Sequence, residues 1–244
     1  MVETELNTKV NEFYAKTIVT QKFLNSKNNP LELKIIINQK KDNIFSSFNC
    51  QIGDSIKVKS KIIKKEKAEE KYTDTISSGN SAIYVTYDKK KIIISMGNIP
   101  PKTEVILISE FIQLFEPSNI ISFNINQNLP KFKGDHITYS NNEIKGKITI
   151  KTINEIKKIK NNLSYAINII EERYINENRN EYILIYKYDE KELIESLNNE
   201  VNTEINFEIK KIKNIAYIQQ SSLNNSETNY LIQYNYNKIH NNLP

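Results

Sequence analysis

From Val105 to Phe115 every second residue falls on one side: Val105, Leu107, Ser109, Phe111, Gln113 and Phe115. That is the period of a β-strand with one face in a core. Two β-rich runs precede it, Ala82 to Tyr87 and Ile92 to Met96, on either side of a charged DKKK turn, and they read as a hairpin. Gly97, Asn98, Pro100 and Pro101 break the chain between that hairpin and the long strand, which reads as the final strand of a sheet. Upstream, Ala68, Tyr72 and Ile76 are four apart, so they share one face of a helix whose other faces are Lys and Glu. Gly79 stands where such a helix needs a residue tolerant of positive φ.

Past Pro117 the pattern changes. A connecting strand, IISFNI, runs into a polar stretch from Asn126 to Asn142 that contains Pro130 and Gly134. Alternation then returns at Ile144, Gly146, Ile148 and Ile150, at Tyr182, Leu184, Tyr186 and Tyr188, and at Tyr230, Ile232, Tyr234 and Tyr236. Asp189 to Leu197 fits a short helix or a continuing strand equally well. These elements predict a mainly β protein of two β-sandwich-like domains, the first with one short amphipathic helix. The expected boundaries are residues 1–118, a connecting strand and linker over 119–142, and a second β-rich domain over 143–244.

Composition narrows this picture. A chain of 244 residues with 39% hydrophobic and 26% charged residues buries one good core or two small ones. The formal charge of +5 is spread among lysines interleaved with glutamates, which argues against a dedicated nucleic-acid arm. Cys50 is the one cysteine and alternates with Phe48 and Ile52, so it reads as a buried strand residue in a chain without an intrachain disulfide, and a reducing compartment is expected. The start, MVETELNTKV, has neither a basic nor an apolar signal segment, and no run approaches 18 apolar residues. A soluble protein of the cytoplasm or another intracellular compartment is expected, without a membrane span.

The order of pieces from Lys61 to Pro101 resembles the vault protein inter-alpha-trypsin domain, VIT. The residues that carry the resemblance are Ala68, Tyr72, Gly79, Gly97, Asn98, Ile99, Pro100 and Pro101. Ala15, Val19, Thr20, Gln21, Phe23 and Asn25 look like that family's early strand, and Ile52 and Gly53 like the turn into its central strand pair. About residues 3 to 116 are covered. The family usually carries an aromatic and proline-rich step where this chain has LELKIIINQK after Pro30. The stretches KGKITIKTINEIKKIKNNLSYAINII, NRNEYILIYKY, FEIKKI and NYLIQYNY are similar to the segment that, in intracellular VIT proteins, leads into a von Willebrand factor type A domain. That domain's Asp-x-Ser-x-Ser motif has no counterpart, since Asp54 and Ser55 are followed by Ile56 and Lys57. No metal and no other cofactor is therefore expected. The chain reads either as a short paralogue or as the N-terminal portion of a longer protein.

A catalytic site is not legible. His136 and His240 stand without cysteine, nucleophile-elbow or metal-spaced partners, Glu69–Glu70 and Glu171–Glu172 diverge in direction, and the five glycines are scattered singly. No enzyme is expected. Lys57, Lys59 and Lys61 alternate on one strand, and Lys64, Lys65, Lys67 and Lys71 follow on the helix, which is the basis of an alternative, nucleic-acid-associated reading. Glu66, Glu69 and Glu70 interrupt that patch, so a solvated face is the plainer reading. A protein-interaction or scaffold module of a larger assembly remains, as the resemblance also implies. Its candidate interface is the tyrosine-bearing strands, at Tyr182, Tyr186, Tyr230, Tyr234 and Tyr236.

Overall fold

The computed structural model describes residues 2–38, 43–54, 56–59, 62–88, 91–116, 118, 120–124, 131–133, 143–163, 167–188, 203–210, 215–216 and 234–235. In chain order the first elements are β1 (Val2–Val10), β2 (Tyr14–Leu24), β3 (Leu31–Asn38), β4 (Asn43–Ile52) and β5 (Ile56–Lys59). Helix α1 (Lys65–Ser77) follows, then β6 (Ala82–Asp88), β7 (Lys91–Ile99) and β8 (Glu104–Leu114). The remainder holds β9 (Ile120–Asn124), β10 (Lys131–Lys133), β11 (Glu143–Lys151), β12 (Ile156–Leu163), β13 (Ile167–Tyr174), β14 (Glu181–Tyr188), β15 (Thr203–Ile209), β16 (Ile215–Ala216) and β17 (Tyr234–Asn235). The protein is mainly β, with one helix among the described residues, as the alternation predicts. Asp189 to Leu197, His136 and His240 lie outside the described residues.

An eight-stranded sheet in the order β13-β14-β11-β1-β2-β8-β4-β5 forms one layer. A four-stranded sheet, β10-β3-β7-β6, and a three-stranded sheet, β12-β15-β9, supply the residues it packs against. Their buried side chains form one continuous core, from Leu6, Val19, Ile35, Ile94 and Leu107 to Ile148, Leu184 and Phe207. The alternation behind this is plain in β2, where Ala15, Thr17, Val19, Gln21 and Phe23 are buried and the residues between them are not. The long strand β8 comes last in its region of sequence but sits inside the sheet, between β2 and β4. Burial of Val105, Leu107, Ser109 and Phe111 follows the predicted face.

The eight-stranded sheet continues across the segment 119–142 where the sequence changes character. Strand β1 pairs antiparallel with β2 on one side and parallel with β11 on the other, in a register from Glu3↔Glu143 to Val10↔Ile150. Nearby, the β1–β2 turn is set by Asn11, whose Oδ1 accepts from Phe13 N at 2.8 Å and Tyr14 N at 2.9 Å. This turn aims Glu12, a buried carboxylate, at the β11–β12 loop, where it accepts from the backbone N–H of Ile153 at 3.0 Å. The same loop is held from the other side by the β13–β14 hairpin, through Thr152 N to Asn180 O at 2.9 Å and Ile156 N to Arg179 O at 2.8 Å.

Candidate functional site

The residues from Tyr72 to Pro101 form a clasp between α1 and the four-stranded sheet. In β7, Ile92, Ile94 and Met96 point into the core, so Gly97 points out toward α1. A Cβ there would sit 2.4 Å from Ile76 Cδ1 and 3.0 Å from the Tyr72 hydroxyl, and only glycine lets the helix lie this close. The Tyr72 ring meets Tyr84 of β6 with centroids 5.8 Å apart. Burial, and secondarily the Glu32 carboxylate, raise the Tyr72 hydroxyl above its ordinary pKa. The helix ends in a Schellman motif: Asn80 N donates to Thr75 O at 3.1 Å, Gly79 N donates to Ile76 O at 2.9 Å, and Gly79 takes φ +78°.

Asn98 closes this helix end from the sheet. Its φ is +52°, a conformation that asparagine tolerates better than most residues. Its Nδ2 donates to Ile76 O at 2.8 Å and Asn80 O at 3.2 Å, and its own carbonyl accepts from Ser81 Oγ at 2.7 Å. One step on, Ile99 is fully buried, and its carbonyl accepts from Asn25 Nδ2 at 3.0 Å. Asn25, 1% exposed, also donates to Pro100 O at 2.9 Å and Asn29 O at 3.1 Å, while its Oδ1 accepts from Lys27 N. One buried amide thus ties the end of β2 to the Ile99–Pro101 loop.

The tyrosines of β14 face the other way from what their alternation suggests. Tyr182 is 3% exposed and Tyr186 0%, and Tyr188 on the same side is also buried, so this row lies in the core and not on an exposed interface. The register explains why: Tyr186 stands opposite Gly146 of β11, and its ring occupies the space of the missing side chain, since a Cβ on Gly146 would fall 2.0 Å from Tyr186 Cζ. The Tyr182 hydroxyl donates to the Glu172 carboxylate. The Tyr186 and Tyr188 hydroxyls are buried without a hydrogen-bond partner among the described residues. Of the other tyrosines, Tyr234 lies in β17, whose backbone pairs with β16, and Tyr230 and Tyr236 are outside the described residues.

The candidate lysines divide between two elements. Lys57 and Lys59 are exposed in β5, opposite Gln51 and Asn49, on the outward face of the eight-stranded sheet. Lys64 and Lys65 are exposed at the start of α1, which packs on β6 of the four-stranded sheet; Lys61 is outside the described residues. On the outward sheet face Glu110 accepts from Lys16 at 2.8 Å and from Ser46 Oγ at 2.7 Å, bonds that hold its carboxyl below the usual range. Sequence reasoning missed what surrounds this pair: Tyr14, Ile44, Ile108 and Leu114 are exposed apolar side chains on the same face. The signal is present in the sequence, because EVILISEFIQL is largely apolar in both phases of its alternation. Glu12 was missed as well, with no local signal to mark a lone carboxylate in a turn.

Residues 1–109 match the family model of the Vault protein inter-alpha-trypsin domain. The N-terminal region is a VIT domain. A curated relative, a von Willebrand factor A domain-containing protein of Dictyostelium discoideum, is 34% identical over 104 residues, which are 42% of this chain and 11% of the relative. The chain therefore spans about a tenth of the length of that relative. Among solved structures, the collagen-binding domain of a Staphylococcus aureus adhesin matches at 8% identity, covering 55% of this chain and 88% of that one, with a TM-score of 0.33. The full-length major pilin SpaD of Corynebacterium diphtheriae matches at 9% identity, covering 77% of this chain and 51% of that one, with a TM-score of 0.30. The VIT match ends at residue 109, within β8, so the strands β1 to β7, helix α1 and the Gly97–Pro101 loop all belong to the VIT domain. The VIT sheet is extended beyond its matched residues by β11, β14 and β13. No described helix is long and apolar enough to cross a membrane.

Proposed function

We propose that this chain is a non-enzymatic protein-interaction module, a scaffold subunit of a larger intracellular assembly built around its VIT domain. The VIT match is the observation that carries the reading, together with a relative that joins a similar segment to a von Willebrand factor A domain. The chemistry agrees. Two polar residues of the VIT pattern are engaged in structure, Asn98 closing a helix end and Asn25 fixing a loop. The division of the lysines between β5 and α1 favours protein partners over a nucleic acid tracked along one basic strip.

The test is the elution volume of the endogenous chain in a native extract, before and after nuclease. A scaffold subunit elutes well ahead of the isolated chain and stays there after nuclease treatment. Elution with the isolated chain in both conditions would contradict the proposal, and a shift abolished by nuclease would give the assembly to nucleic acid.

A further inference from the structure

Strand β8 of the VIT sandwich is largely apolar in both phases of its alternation, as strands covered on both faces are. In β7 the second phase is Lys91, Ile93, Ser95 and Gly97, and α1 lies against it at Gly97. In β8 the outward phase is Glu104, Ile106, Ile108, Glu110, Ile112 and Leu114, with Glu104 exposed at its end and Ile108 and Leu114 38% and 58% exposed. The register sets further apolar groups beside them: Leu114 lies opposite Tyr14 of β2, and Ile112 lies opposite Ile44 of β4. Tyr14 is 40% and Ile44 47% exposed. An exposed apolar face of this kind, crossed at its middle by the Lys16–Glu110 pair, marks a protein interface.

Charge on the face gives the chemistry of the occupant. Glu110, in the middle of the β8 row, is already neutralised by Lys16 and Ser46. Lys57 and Lys59 lie across β4 from Ile106 and Ile108, are exposed, and make no ion pair with another described residue. Lysines on a four-residue edge strand also discourage edge-to-edge strand pairing, which leaves the face, not the edge, as the docking surface. We propose that the outward face of β2, β8, β4 and β5 receives an amphipathic, acidic segment of a partner protein. Its apolar side chains cover Tyr14, Ile44, Ile112 and Leu114, and its carboxylates meet Lys57 and Lys59. From Leu114 to Ile106 the face is roughly 27 Å long, the reach of a helix of about eighteen residues.

This proposal deepens the interaction-module reading and rests on it. It is tested with the intact chain as bait for a library of random 20-residue peptides displayed on phage, with two folded variants as controls. The first is Ile44→Glu with Leu114→Glu, and the second is Lys57→Glu with Lys59→Glu; all four positions are exposed, so retained thermal unfolding confirms that each variant is folded. The expected peptides are acidic with apolar residues at helical spacing. They lose at least tenfold in affinity for the first variant and several-fold for the second, and the second loss shrinks in high salt. Peptides that bind both variants as well as the parent, peptides without acidic residues, or no enrichment at all would overturn the proposal. So would a dimer of the chain alone that the first variant abolishes, because the face would then belong to a second copy. The elution of the endogenous chain is read separately: a large nuclease-resistant assembly that forms equally with both variants leaves the interaction reading standing and removes this surface from it.

Discussion

Asn98 carries two separable contributions, and its substitutions divide them. Alanine at this position removes the amide that bonds Ile76 O and Asn80 O and also places a Cβ residue without a polar side chain at φ +52°. Glycine removes the same bonds but adopts that φ freely. Asn98→Ala is therefore expected to destabilise by about 2 kcal/mol and Asn98→Gly by about 1 kcal/mol, in chemical denaturation of the whole chain. Equal losses would mean that the backbone conformation contributes nothing. A second group of residues sets the alkaline limit of the fold. Burial pushes the Cys50 thiol up to about 12, and it raises the hydroxyls of Tyr182, Tyr186 and Tyr188, with the Glu172 carboxylate adding to the effect on Tyr182. Below about 8.5 native and unfolded chains both keep the thiol proton, so the thiol leaves stability unchanged there; above it only the native chain does. Stability should fall progressively from about pH 8.5 toward 12, with thiol reagents blocked until unfolding. Labelling of Cys50 in the folded chain at pH 8 would contradict this.

At the scale of elements, α1 has a well-made end and a poorly made start. The Schellman turn at Gly79 and the Asn98 amide satisfy its last carbonyls, whereas Lys64 at the N-cap offers no side-chain bond and its neighbour Lys65 opposes the helix dipole. Lys64 already has the extended backbone of a cap, φ −58° and ψ 140°, so Lys64→Asp should add about 1 kcal/mol to helix stability. Slower amide exchange across the first turn of α1 would register it, and unchanged exchange would refute it. This helix and the hairpin after it were legible in sequence because each is local: four-residue spacing, a terminal glycine and a period of two settle them within thirty residues. The β14 tyrosines were not. Their alternation gave the strand, but which side met the core depended on Gly146, some forty residues earlier, opening room for the Tyr186 ring. The outward face of β8 was half legible, since its apolar second phase stood in the sequence but its lack of a cover did not.

Across the whole molecule the central fact is that β1 belongs to two neighbourhoods. It is an outer strand of the VIT residues, yet its far edge is filled by β11, in parallel, from beyond residue 119. An eight-stranded sheet, a shared core and the Glu12 carboxylate, clamped on the β11–β12 loop, all cross the segment where composition suggested a boundary. Parallel pairing of distant strands leaves no local trace, and that is why sequence patterning could not report it. The expected consequence is one cooperative unfolding transition, with hydrogen exchange in β1 and in β14 slowing to the same limit. Glu12→Gln should lower the midpoint while keeping the transition single; two separate transitions would restore independent halves.

The most direct test of the account is affinity capture of partners from native extract on the intact chain and on the Ile44→Glu, Leu114→Glu variant, each after nuclease. The expected result is a protein retained by the parent and lost from the variant, with both chains equally folded. A retained set that is empty after nuclease would contradict the interaction module itself.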